Sequence, residues 1–229
     1  MFLNNYRHNI CPNEAWQEET VHQSDKLPKV EIKEPNEADE AIEMVRFDDK
    51  HYLANKWTLW FYEKKNKNWE ENINELSTFD TVEDFWSLFN HIKRPSQLAW
   101  QSHYSYFKYG IKPNQDDEKN SAGGCWLLQL PSVKKCTLVD EYWRQIMMSL
   151  IGEVYESSEI NGAVVSVQNL GTKISVWTNN ASKSNGNNIM AIGKKIKEVL
   201  GAQHKNLYYE AHTATANKRR SRSKHLFMI

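Results

Sequence analysis

Four places in this sequence carry side chains that could recognise a nucleotide. Trp69 ends the run "KKNKN" at residues 64–68, a polar, basic stretch with no apolar face. Asp116 opens the acidic run "DDE" shortly after Pro113. Lys173 and Trp177 lie four residues apart in "KISVWT". A ring carried on a loop is a stacking platform for a base. A carboxylate can accept from a guanine edge, where N1–H and N2–H are adjacent donors, and a lysine can meet phosphate. The alternative is plain packing, with Trp177 held in a sheet and Trp69 covering a loop. Catalytic chemistry has no comparable support. There is no G-x-S-x-G, no phosphate-binding loop and no metal-ligand spacing. The eight histidines are scattered, so neither an enzyme nor a bound cofactor is expected.

These residues need elements to position them. "NKWTLWFYEK" alternates Trp57, Leu59 and Phe61 with Thr58, Trp60 and Tyr62, the period of a strand. "INELSTF", "YSYFKYGI", "CWLLQLP", "GAVVSVQN", "KISVWTN" and "NLYYEAH" also read as strands, "GAVVSVQN" and "KISVWTN" forming a hairpin with Gly171 in its turn. "PNQDDEKNSAGG" reads as a loop. "TVEDFWSLFNHI" is helical, with Val82, Phe85, Trp86 and Phe89 on one face, Thr81 as N-cap and Asp84 three residues on. A second helix is expected through residues 138–156, with a wide stripe running from Leu138 to Val154. A third runs through "NNIMAIGKKIKEVLG" and ends at Gly201. Strands in adjacent runs with one-sided helices predict an α+β fold, an antiparallel sheet covered on one face.

The totals set the frame. The chain has 229 residues, enough for one large domain. Residues 1–50 are polar and mostly acidic and read as a flexible tail, leaving residues 51–229 as the domain with a basic C-terminal tail. Lys+Arg and Asp+Glu both total 29, so net charge selects no partner. Cys11, Cys125 and Cys136 are odd in number and lack paired spacing, which argues against a disulfide framework. With no signal-peptide pattern at the start and no long apolar run, a cytoplasmic protein is expected, or one shared with the nucleus.

The segments "FDTVEDFWSLFNHI", "FKYGIKP", "SLIGE", "NGAVVSV" and "KISVWT" resemble the translation initiation factor 4E family, which binds the mRNA 5′ cap. The similarity runs from about His51 to the C-terminus. The resemblance implies a curved eight-stranded antiparallel sheet backed by three helices on its convex face. It implies a ventral slot for 7-methylguanosine and a dorsal face for partner proteins, with the protein a monomer within its complexes. By position, Trp69 matches the loop tryptophan that stacks on the methylated base, Asp116 the carboxylate, Lys173 a phosphate-binding cation, and Trp177 the ring beside the methyl group. The positive charge of that base adds a cation–π term to stacking.

The chain departs from the family at three cap positions. Gln115 stands where the family has its second stacking tryptophan, Cys125 where it has a basic residue, and Gln168 where it has an arginine. Trp100 is an extra ring that could cover the base. On the dorsal side, His51, Val82, Trp86, Met148, Gly152 and Glu153 match positions that receive the tyrosine–leucine motif of the scaffold factor 4G and of inhibitory 4E-binding proteins. Arg144 and the neighbouring Gln145 replace a leucine and a glutamate there. Ser221, in the basic tail, matches a regulatory phosphorylation site. Two functions follow: a cap-binding initiation factor of reduced cap affinity, or an interaction module that keeps the dorsal site, binds cap poorly and acts as a regulator or competitor.

Overall fold

The computed structural model describes residues 50–66, 68–131, 137–168, 171–202, 205–213 and 225–229. In chain order the strands are β1 (Tyr52–Glu63), β2 (Ile73–Thr81), β3 (Ser102–Lys108), β4 (Gly124–Leu130), β5 (Ile160–Gln168), β6 (Gly171–Thr178), β7 (Leu207–Ala211) and β8 (Phe227–Met228). The helices are α1 (Val82–His91), α2 (Glu118–Ser121), α3 (Thr137–Ile151) and α4 (Gly186–Val199). The strands form one curved antiparallel sheet in the order β2-β1-β3-β5-β6-β4-β7-β8. The acidic tail assigned to residues 1–50 lies outside the described residues except for Lys50.

Alternation sorts each strand onto two faces. Trp57 and Leu59 are buried together with Tyr104, Tyr106, Ala163, Val165, Ile174, Val176, Trp126 and Leu128, and strand register places these side by side. Phe85 of α1, Val139, Trp143, Ile146 and Met147 of α3, and Ile189, Ile192 and Ile196 of α4 pack into the same core. All three long helices therefore cover one face. Trp126 anchors α4 by donating its Nε1–H to the Ile189 carbonyl at 2.9 Å. Gly193 makes that approach possible, because a Cβ there would come within 2.4 Å of the Trp126 ring.

Four details differ from the sequence expectation. The loop "PNQDDEKNSAGG" contains α2, a single helical turn capped by Asp117. The second helix stops at Ile151 instead of running to residue 156. Its end is a Schellman arrangement: the Glu153 amide donates to the Leu150 carbonyl, and the Val154 amide to that of Ser149. Glu153 takes φ 50, a backbone state that usually selects glycine, so the expected stop signal is missing from the sequence. Leu138, assigned to the apolar stripe, is exposed. Finally, the apolar end of the basic tail is β8, which pairs with β7 through Tyr208↔Met228 and Tyr209↔Phe227.

Candidate functional site

The sheet face free of helices carries three parallel rows, read across the strands from their register. The first is Tyr62, His103, Ser166, Lys173 and Gln129. The second is Trp60, Ser105, Val164, Ser175 and Leu127. The third is Thr58, Phe107, Gly162, Trp177, Cys125 and Glu210. Lys173, Trp177, Cys125 and Gln168 thus share one face.

Trp177 is 9% exposed and meets the edge of Phe107 at 5.4 Å. Gly162 between them keeps the space open, since a Cβ there would lie 2.7 Å from the Phe107 ring. The Trp177 Nε1–H donates to Ser175 Oγ at 3.1 Å, and its other neighbour is the His212 ring at 4.2 Å. Cys125 is buried in the small apolar cluster of Phe107, Ile111 and Trp177, and stands opposite Glu210 in the register. Glu210 pairs with His225 at 3.1 Å. A thiol beside a carboxylate brings no positive charge to a phosphate. Gln168 is exposed and donates from Nε2 to Ser166 Oγ at 3.3 Å. Lys173 is half-buried in the first row and is the cation there.

Trp69 sits on the β1–β2 connection, half-buried against Tyr62, with ring centroids 6.5 Å apart and 26° between planes. Tyr62 in turn stacks on His103 at 4.4 Å and 10°. The polar loop is held from within by Asn72, which is 2% exposed. Its Oδ1 accepts from the amides of Lys65 and Asn66, and its Nδ2 donates to the carbonyls of Asn66 and Asn68. The Asn72 amide also donates to the Trp69 carbonyl at 3.0 Å.

Gln115 and Asp116 are on the loop after β3. A second buried asparagine holds this loop: Asn120 Nδ2 donates to the carbonyls of Lys112 and Asn114 at 2.9 Å. Its Oδ1 accepts from Asn161. Within "DDE" the acids have separate duties. Asp117 accepts from the amides of Lys112 and Lys119 and fixes the turn. Asp116 is exposed, and no described residue engages its carboxylate. The loops of Trp69 and Asp116 leave opposite ends of β3, because Tyr62 pairs with His103 near its start while Gln115 follows its end. Trp100 is 54% exposed, beside β5 through the Gln101 amide and the Val167 carbonyl.

The partner-side residues gather at the start of β1. The His51 carbonyl accepts from the Val82 amide, and its ring meets Glu83 at 2.7 Å, which holds the Glu83 carboxyl below its usual range. Thr81 caps α1 by accepting from the Asp84 amide. Trp86 is half-buried and meets Phe85 and Phe89 edge-on. Four residues along β1 from His51, Asn55 donates to Glu153 at 2.6 Å, bringing in the end of α3, where Gly152 is exposed. On α3, Arg144 is held by Glu141 and donates to Met148 Sδ at 3.1 Å, with Met148 38% exposed. Glu141, not singled out in the sequence, also accepts from Gln145. Ser221, Cys11 and Cys136 lie outside the described residues.

Tyr62, His103, Asn72, Asn120 and Glu210 were not singled out as functional by sequence. The first two carried a signal, since both fall at helix-face-opposite positions of amphipathic strands. The asparagines carried none.

A sequence model of the family described as eukaryotic initiation factor 4E matches residues 52–226. Eukaryotic translation initiation factor 4E-1B of Danio rerio is 40% identical over 213 residues, covering 90% of this chain and 96% of that protein. A structure of Ascaris suum eIF4E-3 with m7G cap superposes with TM-score 0.72 at 39% identity, covering 79% of this chain and 98% of that one. A Caenorhabditis elegans eIF4E-3 complex with the 4E-binding protein Mextli and cap analog gives TM-score 0.71 at 37% identity, covering 79% and 99%. With a family match across nearly the whole described domain and relatives at this identity, the chain belongs to the eukaryotic initiation factor 4E family.

Proposed function

We propose that this chain binds the 7-methylguanosine cap of mRNA on the helix-free face and joins it, on the α1–α3 side, to the scaffold factor 4G or to 4E-binding proteins. It works by binding, without catalysis, in the cytoplasm. The Ascaris relative is bound to an m7G cap and the Caenorhabditis relative to both cap analog and a 4E-binding protein, which supports both halves of the reading. The observation that carries it is the register: Lys173 and Trp177 share the helix-free face with Tyr62, against which Trp69 packs. Trp69 and Trp177 supply rings, Lys173 a cation, and Asp116 a carboxylate that no described residue engages.

Cap affinity is reduced. Gln115 offers no ring, and Cys125 and Gln168 offer no charge. A base–ring stack is worth roughly 1–3 kcal/mol. A charge-assisted hydrogen bond is worth about 1.5–3 kcal/mol. Losing several such contacts lowers affinity on the order of a thousandfold unless other groups compensate. Calorimetric titration of the full chain with m7GTP and with GTP tests the reading. Binding of m7GTP, at least about tenfold tighter than GTP and abolished by Trp69→Ala, is expected. Equal affinity for GTP, or no binding at about millimolar m7GTP, overturns it.

A further inference from the structure

We infer that the connection between α1 and β3 is an RNA-binding rim, where Trp100 stacks on a base of the transcript beyond the cap and Lys93 and Arg94 meet its phosphates. This rests on the cap-binding reading above and extends it from the cap to the chain that follows.

The connection runs over residues 92–101 and is pinned in two places. Pro95 is buried, and the Ser96 amide and hydroxyl donate to Asp140 of α3 at 2.8 and 2.6 Å. Further on, the Ser102 amide donates to the Ala99 carbonyl at 3.2 Å, and the Gln101 amide to the Val167 carbonyl of β5 at 3.1 Å. Gln101 takes φ 62, a left-handed state unusual for a residue other than glycine. On this fixed backbone Trp100 is 54% exposed, while every other described tryptophan is buried or half-buried. Lys93, Arg94 and Gln97 are exposed on the same connection. Trp100 is its one exposed large apolar side chain. A single ring among cations and amides is the make-up of a stacking platform for a single strand, and not of an apolar protein interface.

Register places this rim beside the cap site. Ser102, next to the turn, pairs with Glu63 at the end of β1, where the connection carrying Trp69 begins. The two rings therefore leave the same end of the sheet. Val167 pairs with Thr172, the neighbour of Lys173. The turn of Trp100 is thus two strand spacings, about 10 Å, from the backbone beside the lysine assigned to the triphosphate. The charges agree with this path. Glu63 is taken up by Lys65 at 2.8 Å. Among the described residues, Lys64, Lys93, Arg94 and Lys173 enter no ion pair. Such cations are left to meet phosphates and give RNA a salt-dependent affinity.

The test is calorimetric titration of the full chain with m7GTP and with a capped, unstructured RNA of roughly eight nucleotides. Wild type, Trp100→Leu and the double variant Lys93→Gln/Arg94→Gln are compared. Wild type should bind the capped RNA at least about tenfold tighter than m7GTP. Trp100→Leu should lose roughly fivefold to a hundredfold for the RNA and nothing for m7GTP. The double variant should weaken RNA binding and flatten its salt dependence, again with m7GTP unchanged. Wild type that binds capped RNA no tighter than m7GTP overturns the inference, and so does unchanged RNA affinity in either folded variant. A folded Trp100→Leu that loses m7GTP binding puts the ring on the cap base. One that loses a 4E-binding protein while keeping RNA makes the rim a protein surface. Both outcomes overturn the inference. In all of these cases the cap-binding reading stands. Should Trp100→Leu fail to fold, wild type is crosslinked to capped RNA carrying 4-thiouridine next to the cap. The labelled peptide must contain Trp100, and label confined to other peptides overturns the inference. Wild type that binds neither m7GTP nor capped RNA overturns the cap-binding reading itself, and this inference with it.

Discussion

Asn72 acts almost wholly on the backbone of other residues. Its amide satisfies the N–H groups of Lys65 and Asn66 and the carbonyls of Asn66 and Asn68. This side chain ties the backbone of the loop that carries Trp69, while the ring itself packs against Tyr62. Each such bond contributes about 0.5–1.5 kcal/mol net, and the freed groups can partly return to water. Asn72→Ala is therefore expected to cost about 2 kcal/mol of stability and to weaken m7GTP binding, because Trp69 loses its mount. Asn72→Asp keeps the acceptor for Lys65 and Asn66 but sets a buried carboxylate oxygen against the carbonyls of Asn66 and Asn68, so it should cost at least as much as Asn72→Ala. Thermal unfolding and m7GTP titration of the two variants check this. If both lower stability and neither changes affinity, the asparagine serves the fold alone.

At the scale of elements, the partner side depends on three pieces meeting: the start of β1, the N-terminus of α1 and the C-terminus of α3. α1 was legible because its N-cap chemistry and its apolar spacing agree. Phe85 is fully buried, while Trp86 stays half-buried beside it, so one helix has a core face and an offered face. The end of α3 was not legible, because Glu153 occupies the left-handed position without being glycine. A left-handed non-glycine residue costs roughly 1–2 kcal/mol. Glu153→Gly removes that cost and gives up the Asn55 hydrogen bond, so stability should stay within about 1 kcal/mol of wild type. Binding of a tyrosine–leucine motif peptide should weaken in Glu153→Gly and be lost in Trp86→Ala, since a half-buried tryptophan is the usual hot spot of such a surface. Titration of the peptide, with circular dichroism to verify folding, decides. Unchanged binding by folded Trp86→Ala removes the α1 face from the partner site.

At the scale of the whole molecule, the sheet was readable from period-2 alternation because each strand has one face on the helices and one away from them. What stayed hidden was non-local: that β8 closes the edge of β7, that two buried asparagines hold the two loops, and that Trp69 and Asp116 leave opposite ends of β3. Residue spacing along the chain has no access to such pairings. The same two-faced sheet gives the molecule a pH dependence. His103 and His212 both belong to the helix-free side, and burial lowers each pKa from 6.5 to about 4. In the unfolded chain their pKa returns to the ordinary value, so between pH 6.5 and 4 the unfolded state binds more protons. Stability is then complete above about pH 6.5 and falls as pH drops towards 4. The loss between pH 7 and 5 is about 2 kcal/mol for a well-buried histidine such as His212, and less for the half-buried His103. The carboxyls of Glu83, Asp84 and Glu141 are held low by His51, by Thr81 and Lys50, and by Arg144, respectively. Their contribution disappears only below the ordinary carboxylate range, so it leaves the window from pH 7 to 5 to the histidines. Urea unfolding of wild type and His212→Gln at pH 7 and pH 5 should show a clear loss in the first and a smaller loss in the second. Equal stability of wild type at the two pH values would mean that both rings accept a proton in place, and that the helix-free face is wetter than its packing indicates.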